Sequence, residues 1–483
     1  MEDINIDIIK KKSLSGVIAL SSRTFILQII AFSATFLLTI FLSPPVFGIF
    51  YVVSAIISFL GYFSDIGLAA ALIQKKEALS HEDLRTTFTI QQLLVGIAVI
   101  VSLVFAPHVG SFYRLDASGV WLFRALVISF FLSSLKTIPS VLLERALDFQ
   151  KLVLPQILET LSFYIVAVVL AWKGYGITSF TFAVIARGII GLAAIYIVSP
   201  WKISLGLSKV VARKLLRFGI PFQLNSFLAL VKDDLLTVVL GKMLPFSEVG
   251  YIGWAKKWAE VPLRLIMDSV IRVTFPAFSR LQHDKELLGK AIEKALFGLS
   301  LTIFPISIGL LYYVGQLVHT IPRYGKWEPA IMSFYLFAIA SAIASLSTPL
   351  TNALNAVGKI KTTLYLMVFW TSSTWILTIF FVRLIGFNGV SLSLLLITST
   401  IILVVALTKR IAAFSFWANI RVPLIAAVAQ AIVYQLLRFV FPAGFAWFIL
   451  SGSLGVILYG GIAWVFERSR IEHLLRQLPI WKR

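Results

Sequence analysis

Between Arg23 and Asp65 the chain carries no charged residue, and apolar runs of similar length follow one another almost to its end. This succession limits the available folds more than any other feature. A hydrocarbon core about 30 Å thick is crossed by roughly 20 helical residues. Inside it every backbone N–H and C=O must find a partner within the protein, which leaves helices or a closed barrel. No stretch reads as short alternating strands, so the expected fold is all-α and polytopic. Hydropathy and window length give about fourteen spans. They lie near 14–42, 46–72, 85–107, 119–143, 152–172, 177–199, 213–243, 248–275, 293–316, 329–356, 360–384, 387–408, 419–441 and 443–466. The first apolar stretch, Leu14 to Leu42, exceeds the roughly 7–15 residues of a signal-peptide h-region, so no cleavable signal is expected.

The formal net charge is +21. In a soluble chain that would point to nucleic acid. Here the placement of the charge argues against such a partner. With the N-terminus inside, cytoplasmic segments collect Lys10 to Lys12, Lys75, Lys76, Lys202, Lys209, Arg213, Lys214, Lys409, Arg410 and the basic C-terminal group. The opposite connections hold Arg114, Lys173, Lys242, Arg323, Lys326, Arg383 and Arg438. This asymmetry is the positive-inside signature, which sets both termini in the cytoplasm. Attraction to anionic membrane lipid is a secondary consequence. There is no cysteine, and the five histidines are scattered. Thiolate chemistry is therefore excluded, and neither a metal site nor a cofactor site is expected.

The outer connections are short, the longest lying near His108 to Gly119. The segment Arg280 to Lys294 reads as an amphipathic surface helix joining two halves. Those halves resemble each other. SPPVFGIFYVVSAI contains Gly48, and LPFSEVGYIGWAKK contains Gly250, 202 residues later. IPSVLLERALDFQKL and STPLTNALNAVGKIK set Pro139 against Pro349, and KGYGITSF and IGFNGVSL set Gly176 against Gly389. These anchors imply a duplicated six-helix unit: an N-lobe at 1–205, a C-lobe at 206–412 and a final helix pair with a tail at 413–483. Two copies in one orientation would relate by an axis along the membrane normal, with a site between them.

WAKKWAEVPLRLIMDSVIRV, Trp254 to Val273, carries Lys256, Lys257, Glu260, Arg264, Asp268 and Arg272. On an ideal helix Lys257, Glu260, Arg264, Asp268 and Arg272 fall within a sector of about 120°. Charges at that depth must face protein or water, because exposure to lipid costs several kcal/mol each. Pro262 is expected to kink the helix by removing a backbone donor. One reading is internal neutralisation by i,i+4 pairs. Depth across the hairpin near Leu244 to Phe246 sets Lys232 near Glu260 and Asp234 near Lys257. The same construction sets Arg23 beside Asp65. Elsewhere Lys136 and Arg187 either snorkel, pair with Glu159, or line a polar cavity. Asp233, Asp234, Glu260 and Asp268 are candidates for carrying a coupling ion, H+ or Na+, although each has a basic neighbour that holds it ionised. In SDIGL, Gly67 breaks the second span and Ser64 or Asp65 caps the helical turn after it. Tyr51, Trp121, Trp172, Trp201, Trp327 and Trp447 lie near span ends, as interface anchors do. Trp254 and Trp258 sit beside the charged stripe, where they could stack on sugar rings.

The chain resembles the polysaccharide-transporter (Wzx-like) branch of the MOP flippase superfamily. The resemblance rests on SGVIALSSRTFILQ, LSPPVFGIFYVVSAIISFLGYFSDIGLAAALIQKKE, LLERALDFQKL, AWKGYGITS, SPWKISLGLSK, LRFGIPFQLNS, IRVTFPAFSRLQHDKELL and PRYGKWEPA. It implies fourteen helices in two six-helix lobes, as in MATE-like folds. It also implies transfer of an undecaprenyl-diphosphate-linked oligosaccharide from the inner to the outer leaflet of the bacterial cytoplasmic membrane, without catalysis. The partners so implied are the lipid-linked oligosaccharide and, in the same lipopolysaccharide or exopolysaccharide pathway, a polymerase and glycosyltransferases. A diphosphate brings acceptor oxygens that guanidinium forks match bidentately. The substrate-binding candidates are therefore Arg23, Arg264, Arg272, Lys257, Lys136 and Arg187. In the related lipid II flippases arginines on the first and eighth helices line the cavity, which makes Arg23 and Arg264 the positional matches. The alternatives are a MATE-type exporter, whose cavity would favour excess carboxylate, and a membrane polymerase or ligase, which would need sizeable outer loops.

Overall fold

The charge-free stretches become long helices, and their interruptions fall where the local chemistry stops a helix. A computed structural model describes residues 26–440 and 445–475. All regular secondary structure among the described residues is helical. Eleven of these helices are long and apolar enough to cross a membrane. The contacts divide the chain into two compact units, Met1–Gly250 and Tyr251–Arg483.

The first unit contains α1 (Ile26–Phe41), α2 (Pro44–Asp65), α3 (Leu68–Gln74), α4 (His81–Tyr113), α5 (Ala117–Ser134), α6 (Thr137–Arg145), α7 (Phe149–Trp172), α8 (Thr178–Val198), α9 (Lys209–Leu230) and α10 (Leu236–Met243). α7 and α8 form a hairpin that packs on α5, and α5 packs on α4 and α2. Between α2 and α5 lies a core of Val53, Ile57, Ala106, Phe123 and Val127. The expected break in SDIGL is present. Ile66 and Gly67 are both left-handed, with φ of 45° and 72°, and the Ala69 N–H donates to Asp65 Oδ1 at 3.2 Å. α4 starts on a capping box: Ser80 Oγ accepts from the Asp83 N–H at 3.1 Å, and Asp83 Oδ2 accepts from the Ser80 N–H at 2.8 Å. Such a cap contributes about 1 kcal/mol.

α9 and α10 lie along α3 and α2 and so group with the first unit. Two motifs matched in the sequence meet here reciprocally. A Cβ on Gly48 would stand 1.8 Å from the Phe246 carbonyl oxygen, and one on Gly250 would stand 2.0 Å from that of Pro44. Only glycine allows backbones to approach so closely. The contact division therefore falls inside α11 (Phe246–Ala259), whereas the sequence repeat is bounded near residue 205.

The second unit continues with α12 (Val261–Arg280), α13 (Lys285–Thr320), a 3₁₀ turn at Gly325–Ala330, α14 (Ile331–Ala356), α15 (Ile360–Ile385), α16 (Asn388–Thr398), α17 (Ile401–Lys409), α18 (Phe416–Val440) and α19 (Phe445–Leu475). α13 packs against α14 and α18, and α18 pairs with α19. The core there includes Leu288, Ile292, Leu296, Leu350 and Tyr459. One expectation is corrected. Arg280 to Lys294 is not a separate surface helix: after a short turn the chain enters α13, which runs unbroken for 36 residues. Asp284 starts it, accepting from the N–H groups of Glu286 and Leu287, each at 2.9 Å.

Candidate functional site

Two clusters of ionised side chains stand out, one in each unit; Glu159 and Arg187 of the first lie on helices long and apolar enough to cross a membrane, whereas α11 and α12, which carry the second, are not among those helices. In the first unit α5 gives way to α6 at Leu135–Lys136, which brings Lys136 toward α7. Lys136 Nζ lies 2.7 Å from Glu159 Oε2, and Arg187 Nε lies 2.9 Å from Glu159 Oε1. Gly191, one turn beyond Arg187 on α8, makes room for the carboxylate: a Cβ there would approach Glu159 Oε2 to 2.8 Å. Glu159 is 14% exposed and Arg187 52%. The triad carries one net positive charge. Arg187 commits only its Nε to Glu159 among the described residues. Arg187 is 52% exposed, and a guanidinium exposed on a membrane-crossing helix requires water or a polar ligand rather than lipid.

In the second unit α11 gives way to α12 at Glu260, two residues before Pro262. The helical turns stay in register: the Glu260 N–H donates to the Lys256 carbonyl at 3.0 Å, and the Arg264 N–H to the Glu260 carbonyl at 2.9 Å. Here the side chains realise the expected i,i+4 pair. Arg264 Nη2 and Nε donate to the same oxygen, Glu260 Oε2, at 2.8 and 3.3 Å. Glu260 is 16% exposed and Arg264 66%. Both clusters thus share one design, in which a mostly covered carboxylate grips one edge of an exposed guanidinium. Lys257, on α11 three residues before the break, is partly buried.

The remaining candidates are these. Asp65 serves the α2–α3 break as a cap. Lys232, Asp233 and Asp234 occupy a π-helical turn, Val231–Leu235, that interrupts the seventh span between α9 and α10. Nothing in the local sequence announced it beyond three successive ionisable residues. A π turn inserts one extra residue per turn and is frequent at functional sites. Arg23 lies outside the described residues, as do the side chains of Asp268 and Arg272.

The aromatic readings need correction. Trp254 is buried, stacked on Trp327 with ring centroids 5.4 Å apart, and it donates from Nε1 to the Tyr324 hydroxyl at 3.1 Å. It has no face left for a sugar. Trp327 is fully buried and is not an interface anchor. PRYGKWEPA builds this core, with Tyr324 and Trp327 inside it. Sequence reasoning also missed Arg145, whose guanidinium donates to the carbonyls of Leu72, Lys75 and Glu77 and so closes the C-terminus of α3. A basic residue near a helix C-terminus is a known signal, but here it comes from a distant segment.

Residues 37–332 match a family described as polysaccharide biosynthesis protein. The succinoglycan biosynthesis transport protein ExoT of Rhizobium meliloti (strain 1021) is 23% identical over 463 residues, 90% of this chain and 89% of that protein. The lipopolysaccharide biosynthesis protein WzxC of Escherichia coli (strain K12) is 26% identical over 361 residues, 73% of this chain and 71% of the relative. Among solved structures, the lipid II flippase MurJ in an inward closed conformation aligns with a TM-score of 0.77 and 17% identity, over 94% of this chain and 100% of that one. An inward-facing MATE family transporter of the MOP superfamily aligns with a TM-score of 0.64 and 15% identity, over 82% of this chain and 97% of the other. At these identities the two structures share the fold.

Proposed function

The chain belongs to that polysaccharide biosynthesis family, and from this membership and the charged clusters we propose that it is a flippase for a lipid-linked oligosaccharide. It carries an undecaprenyl-diphosphate-linked repeat unit from the inner to the outer leaflet of the cytoplasmic membrane. The six-helix lobes alternate access while the polyprenyl tail stays in lipid. The physical need is clear: sugars and a diphosphate lose their hydration on entering hydrocarbon, at a cost no tail repays.

One observation carries the reading. Glu159 and Glu260 each hold an arginine by one edge only, so each guanidinium keeps donors for an anion. Charge-assisted bonds from such forks suit phosphate oxygens. The cation excess of the Lys136–Glu159–Arg187 triad matches an anionic headgroup and opposes a cationic cargo. Arg264 and Arg187 are the headgroup ligands in this proposal, with Arg23, Arg272, Lys257 and Lys136 supporting them. Carriage of a coupling ion falls to the carboxylates Asp233, Asp234, Glu260 and Asp268, with Lys232 as a neighbouring counter-charge. In this proposal both termini lie in the cytoplasm, as the distribution of Lys and Arg suggests.

Purified protein in liposomes, loaded with a fluorescent undecaprenyl-diphosphate oligosaccharide, tests the proposal. The lipid should become accessible to an impermeant glycosidase on the opposite leaflet. Equal accessibility in protein-free liposomes, or in liposomes carrying Arg187→Ala with Arg264→Ala, would overturn it.

A further inference from the structure

The segment from Trp201 to Ser208, between α8 and α9, has no regular secondary structure, yet its side chains alternate. Its polar side faces inward. The Gly206 N–H donates to Thr89 Oγ1 at 3.0 Å, the Ser208 N–H donates to Thr86 Oγ1 at 3.1 Å, and Ser204 Oγ lies 3.4 Å from His81 Nε2. Gly206 is seated on Arg85, whose Cδ would stand 2.7 Å from a Cβ at that position. Outward point Ile203, Leu205 and Leu207, the middle one 71% exposed. A half-buried strand facing water shows the opposite pattern, apolar inside and polar outside. Inverted alternation fits a medium that is itself apolar on the outer side.

The position in the fold is consistent with that medium. α8 ends at Val198, and the strap crosses the first turns of α4, so it lies where spans leave the hydrocarbon. Lys202 and Lys209 flank it, both exposed. α9 then opens with no acid in its first turn and no side-chain cap bond. Two exposed lysines at the ends of the strap, with no acid in the first turn of α9, give this edge a positive charge that attracts anionic headgroups.

We propose that this strap is an interfacial anchor for anionic phospholipid. Ile203, Leu205 and Leu207 enter the acyl boundary of the leaflet at which α8 ends. Lys202 and Lys209 attract the phosphate of an anionic headgroup. The anchor ties the connection between the two repeats to the membrane surface and to α4. It is independent of which glycan is carried and of which side the termini face.

The chain has no cysteine, so a single thiol at Leu205→Cys can carry an environment-sensitive fluorophore without competing labels. In nanodiscs of phosphatidylcholine, with and without phosphatidylglycerol, its emission should be lipid-like, whereas a label at Glu286→Cys reports water. The unsubstituted protein provides the second measurement, with photoactivatable phosphatidylglycerol or phosphatidylcholine and adducts mapped by mass spectrometry. Adducts should fall on residues 203–207 and favour phosphatidylglycerol, by about fivefold for each lysine. Lys202→Gln with Lys209→Gln should remove that preference and leave the phosphatidylcholine adducts. Water-like emission with no adduct on 203–207 overturns the anchor. Equal adducts from both lipids overturn the headgroup part. Lipid-like emission that appears only after a membrane-protein extract is added assigns the strip to a protein partner instead.

Discussion

Replacing Glu159 with Gln should leave two cations without their shared counter-charge, and the geometry sets the size of the effect. Both carboxylate oxygens are in use, Oε2 by Lys136 Nζ at 2.7 Å and Oε1 by Arg187 Nε at 2.9 Å. Gln keeps the shape but loses the charge, and its amide N–H₂ is directed at a cation. Removing one partner of a buried pair costs about 3–5 kcal/mol. Lys136 is 15% exposed, which puts its share near the lower limit, at about 3 kcal/mol. Arg187 reaches solvent and adds little. Lys136→Met in the Glu159→Gln background removes the stranded ammonium and should restore most of the loss, while Lys136→Met alone leaves Glu159 with Arg187. The assay is chemical denaturation of detergent-purified protein, with the folded fraction followed by size exclusion. A Glu159→Gln protein as stable as the parent would show that the triad does not neutralise itself. Failure of Lys136→Met to rescue it would show that Lys136 is not the stranded charge.

Three further outcomes are expected. Arg264→Lys keeps the charge beside Glu260 but loses the planar fork, so headgroup affinity should fall by roughly ten- to a hundredfold, the value of one charge-assisted bond of about 1.5–3 kcal/mol. Binding of lipid-linked oligosaccharide to matched amounts of protein measures this, and full affinity in the Lys variant would reject the bidentate role. Gly48→Ala forces a methyl group to within 1.8 Å of the Phe246 carbonyl. It should destabilise by about 1–3 kcal/mol, and Phe246→Ala should not relieve it because the obstacle is backbone; unchanged thermal stability would refute the close approach. Cysteines at Ser43 and Ser118 should react in intact cells with an impermeant thiol reagent and one at Ser208 should not, and reversed labelling would invert the proposed topology.

The sequence determined by itself most of the long apolar helices and several of their breaks: hydropathy marked about fourteen spans, and eleven helices among the described residues are long and apolar enough to cross a membrane. A helix in lipid closes its own backbone bonds within a few residues, so hydropathy, SDIGL and the Leu244–Phe246 turn could be read without neighbours. It also named the ions: Glu159 as a partner for Lys136 and Arg187, and Glu260 as the i−4 partner of Arg264. Tertiary structure alone decided how those ions are shared. Sequence reasoning left Lys136 and Arg187 a choice of roles, and packing with Gly191 brought both onto a single carboxylate. Trp254 lies in the charged span yet is turned onto Trp327, a residue 73 positions away in the sequence. The π turn at Val231–Leu235 re-aims every side chain after it, since each residue rotates a helix by about 100°. The strap at 201–208 reads as an ordinary loop until Thr86 and Thr89 take up its backbone donors. In each case the deciding quantity is which face of an element a neighbour covers. That face is set by helix rotation and contacts between distant segments, whereas a long apolar helix is marked by local hydropathy.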